Sequence, residues 1–339
     1  MATGTGTVTV GNADSTGLLE VGTLNLGGGS LLLDPAFGEK ASLAFVDQTD
    51  ADVVNVSGSV GVGQNAAFFG GLKADSADAQ AILARYTNAK GSLSNKEGEI
   101  GALFVVNKTY TVPDGKPVLV DPSKTNADLS GALGAGQTFT LAKGAALVVT
   151  DELSQKVAGT APTDAVIKFA GNDGKLTLES GSFVNFDSAL TADDKVNLVS
   201  GAGTPTVTDN GSNLSAANGL LEGTVSGTSV EFTLKTDKVR ALSNMSRPVQ
   251  DLVIDTLQKG TKFDKDAYGA QYIIAVNGDQ NGKTLEATSR LAVYGGVVQG
   301  TSLAQQAAND AVADRMSRSN PNGSLVFANN AQGLSLIHI

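Results

Sequence analysis

At 339 residues the chain has room for one long domain or two ordinary ones, and its 41 Gly, 8 Pro, absent Trp and 5% aromatic share suit many short strands and tight turns. Hydrophobic residues at 41% exclude a disordered low-complexity chain, and a formal net charge of −10 offers no basic footprint to nucleic acid or an anionic lipid surface. The absence of Cys excludes disulfides, thiolate metal sites and Cys nucleophiles; the single histidine, His338 near the C-terminus, takes His-centred metal sites and Ser–His catalysis out of the main body.

From the N-terminus, Met1-Ala2-Thr3-Gly4 lacks the basic start and apolar stretch of a secretory signal, and the first residues read as strand, as if continuing something longer. Through residues 1–245 a loose theme recurs: two short apolar or alternating runs flank a Gly-centred turn. Leu24–Leu33, Val53–Val62, Phe139–Val149 and Ile167–Leu178 are examples. Apolar residues at every second position turn one face inward, and Gly supplies the positive φ of the turn. Loose self-similarity of about 20 residues per unit is what a parallel β-helix shows, one coil per unit. A sandwich would show cleaner hairpin signals and a more aromatic core. The inward positions here are mostly Val, Leu and Ala, which stack in ladders.

The pattern breaks near 77–88. Asp78–Tyr86 combines helix-forming residues with an apolar stripe, and a short helical insertion is expected there. Strands resume at Ala102–Val106 and Thr109–Val112, followed by a Pro-Asp-Gly turn at 113–115. Residues 246–286 change character: Arg247–Leu257 reads as a helix with Pro in its first turn, and Ala267–Val276 as a second. From 287 to 318 a helix is expected with a Gly295-Gly296 interruption. Thirteen of the 31 residues from 287 to 317 are Ala, Gly or Ser, and so slim a helix suits a narrow bore better than a surface. No run of 18 or more apolar residues exists, so no transmembrane helix is expected.

Ser289–Gly296, the small-residue helix ending in Ala313-Asp-Arg-Met316, and Phe327–Gly333 together resemble the junction between passenger and translocator in bacterial autotransporters. The resemblance implies a type V secreted, virulence-associated surface protein whose linker helix threads an outer-membrane barrel. Residues 246–286 become the C-terminal passenger and junction, 287–318 the linker helix, and 319–333 the start of the translocator. The barrel itself is truncated, and Leu334–Ile339 is expected to be a non-native tail. The implied fold is mainly β, a right-handed parallel β-helix followed by an α-helical linker. Ala304, Ala307, Ala308 and Ala311 are the implied lumen-packing positions. The implied partners are the barrel in cis, the outer-membrane assembly machinery, and host or bacterial surface ligands, with the passenger at the cell surface. Asn309-Asp310 departs from the Asn-Asn pair at which some members of that family cut themselves.

Other motifs carry bland readings. Gly61-Val-Gly63-Gln-Asn-Ala66 has dinucleotide-binding spacing, but the following Ala67-Phe-Phe-Gly-Gly71 does not read as the required helix. Asp264-Lys-Asp266 resembles the start of a calcium loop, whose twelfth position would be Ala275 rather than Glu. Asp193-Asp194 reads as a polar turn, because neighbouring strand residues face opposite ways. No cofactor, metal or catalytic set is expected. The leading function is a structural stalk or adhesin that mediates its own export. The alternatives are a stalk for an enzymatic domain upstream, or a soluble β-helical carbohydrate-active protein.

Overall fold

The computed structural model describes residues 2–259 except 4–5, 13–15, 34–39, 94–99, 160–163, 188–189 and 242–246, all within one compact unit. The linker residues 287–318, the second helix expected at Ala267–Val276 and the Asp264 motif lie outside the described residues. The fold is mainly β, and its sheets are mostly parallel.

Short alternating runs become strands wherever every second side chain can be buried. One sheet has the order Thr7–Val10, Ser30–Leu33, Ser59–Val62, Val118–Val120, Thr138–Leu141, Lys175–Leu178 and Thr206–Asp209. A second has Leu18–Val21, Ser42–Val46, Ala66–Gly70, Ala102–Val106, Ala145–Val149, Phe183–Phe186 and Asn213–Ala216 in parallel. A third has Val53–Asn55, Thr109–Val112, Ile167–Asn172 and Val199–Ala202. The chain visits them in turn: Ser30–Leu33, then Ser42–Val46, then Val53–Asn55, then back beside its starting strand at Ser59–Val62. Val8 pairs with Leu31, and Leu176 with Val207, so a circuit is longer than the ~20 residues of the sequence pattern.

The principal core lies between the three sheets. Leu31, Val60, Val118, Phe139 and Leu176 form a ladder from the first sheet; Ala44, Phe68, Phe104, Leu147 and Val184 one from the second; Val54, Tyr110 and Ile167 one from the third. Among the described residues, seven aromatics belong to this core. Phe68 and Phe104 stack with ring centroids 4.5 Å apart, and Tyr110 meets both edge-on, at 5.8 and 5.0 Å.

Excursions interrupt the circuits. Helix Ala77–Tyr86 is capped by Ser76, whose hydroxyl accepts from Ala79 N, and it lies on the outer side of the second sheet. Helix Asn126–Ala132, for which the sequence pattern gave no expectation, lies on the outer side of the first sheet, with Leu129 and Leu133 against Leu32. Helix Asp151–Val157 was not anticipated either; it carries an acidic first turn and buries Leu153 and Val157.

At the C-terminal end the parallel pattern gives way. The second sheet continues antiparallel through Leu221–Ser226, Ser229–Leu234, Lys195–Asn197 and Ala158–Gly159. The hairpin turns at Gly227, whose φ is +65°. Helix Arg247–Lys259 inserts Val253 and Leu257 into the principal core, and Ala192 N donates to Leu257 O at 2.7 Å.

Candidate functional site

The corner between the first and second sheets carries a groove of about 810 Å³. Its floor is backbone. Gly144 and Gly181 adopt φ of +76° and +78°, values that L side chains rarely take, and they let the chain turn between sheets without a Cβ. The amide N–H groups of the floor are already paired. Gly101 N donates to Gly144 O at 2.8 Å, Gly144 N to Gly181 O at 2.9 Å, and Asn65 N to Gly101 O at 2.7 Å.

The walls arise because the chain leaves the corner after Val120 to make its excursion through helix Asn126–Ala132. Pro122 therefore stands beside the floor, with its Cβ 3.0 Å from where a Cβ on Gly101 would lie. Asp121 shapes this wall: its Oδ1 accepts from Ser123 N at 2.9 Å and Ser123 Oγ at 2.7 Å. The Lys143 alkyl chain lies against Gly181. Gln64, Lys143 and Asn213 supply polar tips and Phe183 an aromatic surface. Amide, ammonium and hydroxyl groups beside an aromatic face can hydrogen-bond and stack a polar chain. With its backbone already paired, the floor cannot take a peptide as an added strand.

A second hollow of about 480 Å³ is lined by Asp47, Asp50 and their loop. It is held by Gln48, whose side chain accepts from Asn55 N at 2.9 Å and donates to Asn55 O at 3.2 Å. Among the described residues no group of three His, Cys, Asp or Glu is placed to hold a metal ion. Glu152 is an exposed carboxylate at the edge of the sheets, paired with Lys108. The hydrogen bond from Lys108 holds its carboxyl below the usual range, and Asn107 Nδ2 adds a further bond at 2.9 Å. Asn107 in turn accepts from Thr150 Oγ1 and donates to Gly71 O, so this set serves a corner of the sheets rather than an open site.

The sequence-level candidates fall in different places. Gly61 and Gly63 are followed by strand Ala66–Gly70, not by a helix that could hold a pyrophosphate. They make room for helix Asn126–Ala132: a Cβ on Gly63 would come within 2.8 Å of Lys124 O and 3.1 Å of Leu129 Cδ1. Asp193-Asp194 is a turn in which the Asp194 carboxylate accepts from Thr191 N at 2.8 Å and Thr191 Oγ1 at 3.0 Å. Ala304, Ala307, Ala308 and Ala311 lie outside the described residues. The corner groove was not anticipated. Its signal in the sequence is the Gly that immediately precedes a strand of the second sheet at 101 and 144, which reads locally only as a turn.

No family model matches the chain, and neither a curated protein nor a solved structure matches it. No described helix is long and apolar enough to cross a membrane, which says nothing of a β-barrel.

Proposed function

We propose that this chain is the surface-exposed passenger of an autotransporter, a structural stalk or adhesin whose C-terminal segment mediates its own export across the outer membrane. The observation that carries the reading is the circuit of the chain through three mostly parallel sheets around one core. In this reading the sheets are the faces of a right-handed parallel β-helix, the hand that parallel crossovers favour. Support for export comes from the slim segment 287–318 and the junction-like residues around it.

Such a fold lends itself to export without nucleotide. Each circuit that closes outside the membrane buries apolar surface at about 25 cal/mol per Å², and so opposes retreat. Circuits add nearly one-dimensionally, so a closed one offers its strand edges to the next. Ligand engagement falls to the corner groove, where Lys143 and Phe183 flank a floor without side chains.

Two substitutions test the export half. Replacing Ala304 and Ala308 with Trp puts two bulky rings on one helical face; surface exposure, read by protease shaving of intact cells, should be abolished. Normal display of that variant would defeat the reading. The adhesin half is tested by Lys143→Glu, which should weaken adhesion of displaying cells to glycan-coated surfaces while leaving display unchanged. Unaltered adhesion would leave the stalk role alone.

A further inference from the structure

The excursion that begins at Lys73 crosses a large part of the second sheet. At its start, Ala74 N donates to Glu20 Oε1 at 3.2 Å, and Lys73 Nζ lies 3.8 Å from Asp47. Glu20 belongs to Leu18–Val21, the first of the seven parallel strands. At its end, the Arg85 guanidinium forms a two-point ion pair with Asp187, 102 residues on, with Nη1 to Oδ1 at 2.6 Å. Asp187 directly follows Phe183–Phe186, the sixth parallel strand. Beside it, Asn185 Nδ2 donates to the Tyr86 hydroxyl at 2.7 Å, and Ser215 Oγ of the seventh strand donates to Asn185 Oδ1 at 2.8 Å.

Between these ends the helix covers an apolar face. Ala79, Ile82 and Tyr86 pack on Phe45, Phe69, Leu103, Val105, Ala146 and Val148, which come from four successive strands. A ten-residue helix is about 15 Å long, which spans roughly three strand spacings of ~4.8 Å. Contacts at this range are unusual for a stack of circuits. In a one-dimensional array each unit touches only its neighbours, and its ends fray independently of its middle.

We propose that residues 73–86 are a strap that docks across the outside of the second sheet and joins circuits that do not otherwise touch into one cooperative unit. The Arg85–Asp187 pair and the Tyr86–Asn185 bond are its clasp. Because Asp187 lies so far along the chain, the strap cannot close until the strands around it have formed. The inference rests on the described geometry and does not depend on the export reading.

Native-state hydrogen exchange on the full chain tests it. Arg85→Gln and Asp187→Asn should each raise exchange in helix Ala77–Tyr86 at least tenfold. The same change should appear in strands Leu18–Val21 and Ser42–Val46, while Thr206–Asp209 keeps its protection. The charge-swapped pair Arg85→Asp with Asp187→Arg should restore both. Loosening of the helix alone, with the two strands unchanged, would overturn the proposal, as would a helix indifferent to either substitution. Should the single variants fail to fold, recovery by the swapped pair supports the clasp, and failure of that pair overturns it.

Discussion

Tyr110 sits at the centre of the principal core, fully buried among Phe68, Phe104 and Phe139, and its hydroxyl has no hydrogen-bond partner among the described residues. A buried unpaired hydroxyl costs about 1–3 kcal/mol, so Tyr110→Phe should stabilise the fold, and the urea midpoint should rise. Burial also pushes the phenol's pKa well above its ordinary value of 10.0. The unfolded chain then ionises first: stability holds below about pH 10 and falls as the pH rises further. Urea midpoints at pH 8 and pH 11 should therefore differ less in Tyr110→Phe than in the native chain. Gly174 shows the opposite constraint. A Cβ there would lie 2.0 Å from Phe169 Cγ, at a place where the strand register shifts between Phe169 and Asn172. Gly174→Ala should cost at least the ~1–3 kcal/mol of an overpacked core, and a variant as stable as the native chain would contradict this packing.

At the scale of elements, parts of the second and third sheets were legible. Ala102–Val106 and Thr109–Val112 stand where the resumed strand pattern places them, and a helix stands at Ala77–Tyr86 within the expected segment 77–88. Period-2 and period-3.6 patterns report local burial, so they succeed where one face meets the core. Helix Asn126–Ala132 escaped because its described apolar contact is Leu129, with Leu133 just beyond its end, and its seat is made by glycines 61 and 63 far back in the chain. The hairpin Leu221–Ser226 and Ser229–Leu234 escaped for another reason. Its alternation looks like that of the parallel strands before it, and only the pairing partner distinguishes the two. The helix expected over Arg247–Leu257 was legible from the Pro in its first turn and stands at Arg247–Lys259, although its seat was not legible. Leu257 is almost wholly buried there, so Leu257→Asp places a carboxylate in an apolar core. The helix should detach, with exchange rising through its amides; unchanged protection would refute the seat described.

At the scale of the whole molecule, the topology brings together what no local pattern can. The floor of the corner groove comes from Gly101, Gly144 and Gly181, each an ordinary turn glycine in sequence; only the stacking of circuits lines them up. The proposed passenger role stands on that fold and on residues 287–333, whose pattern resembles an autotransporter junction. The most direct test is to read the source gene past codon 333. If the chain is a passenger, ~10-residue alternating strands flanked by aromatic girdles follow there, the pattern of a transmembrane β-barrel. A stop codon directly after that point in the source gene, with no barrel following, would contradict it.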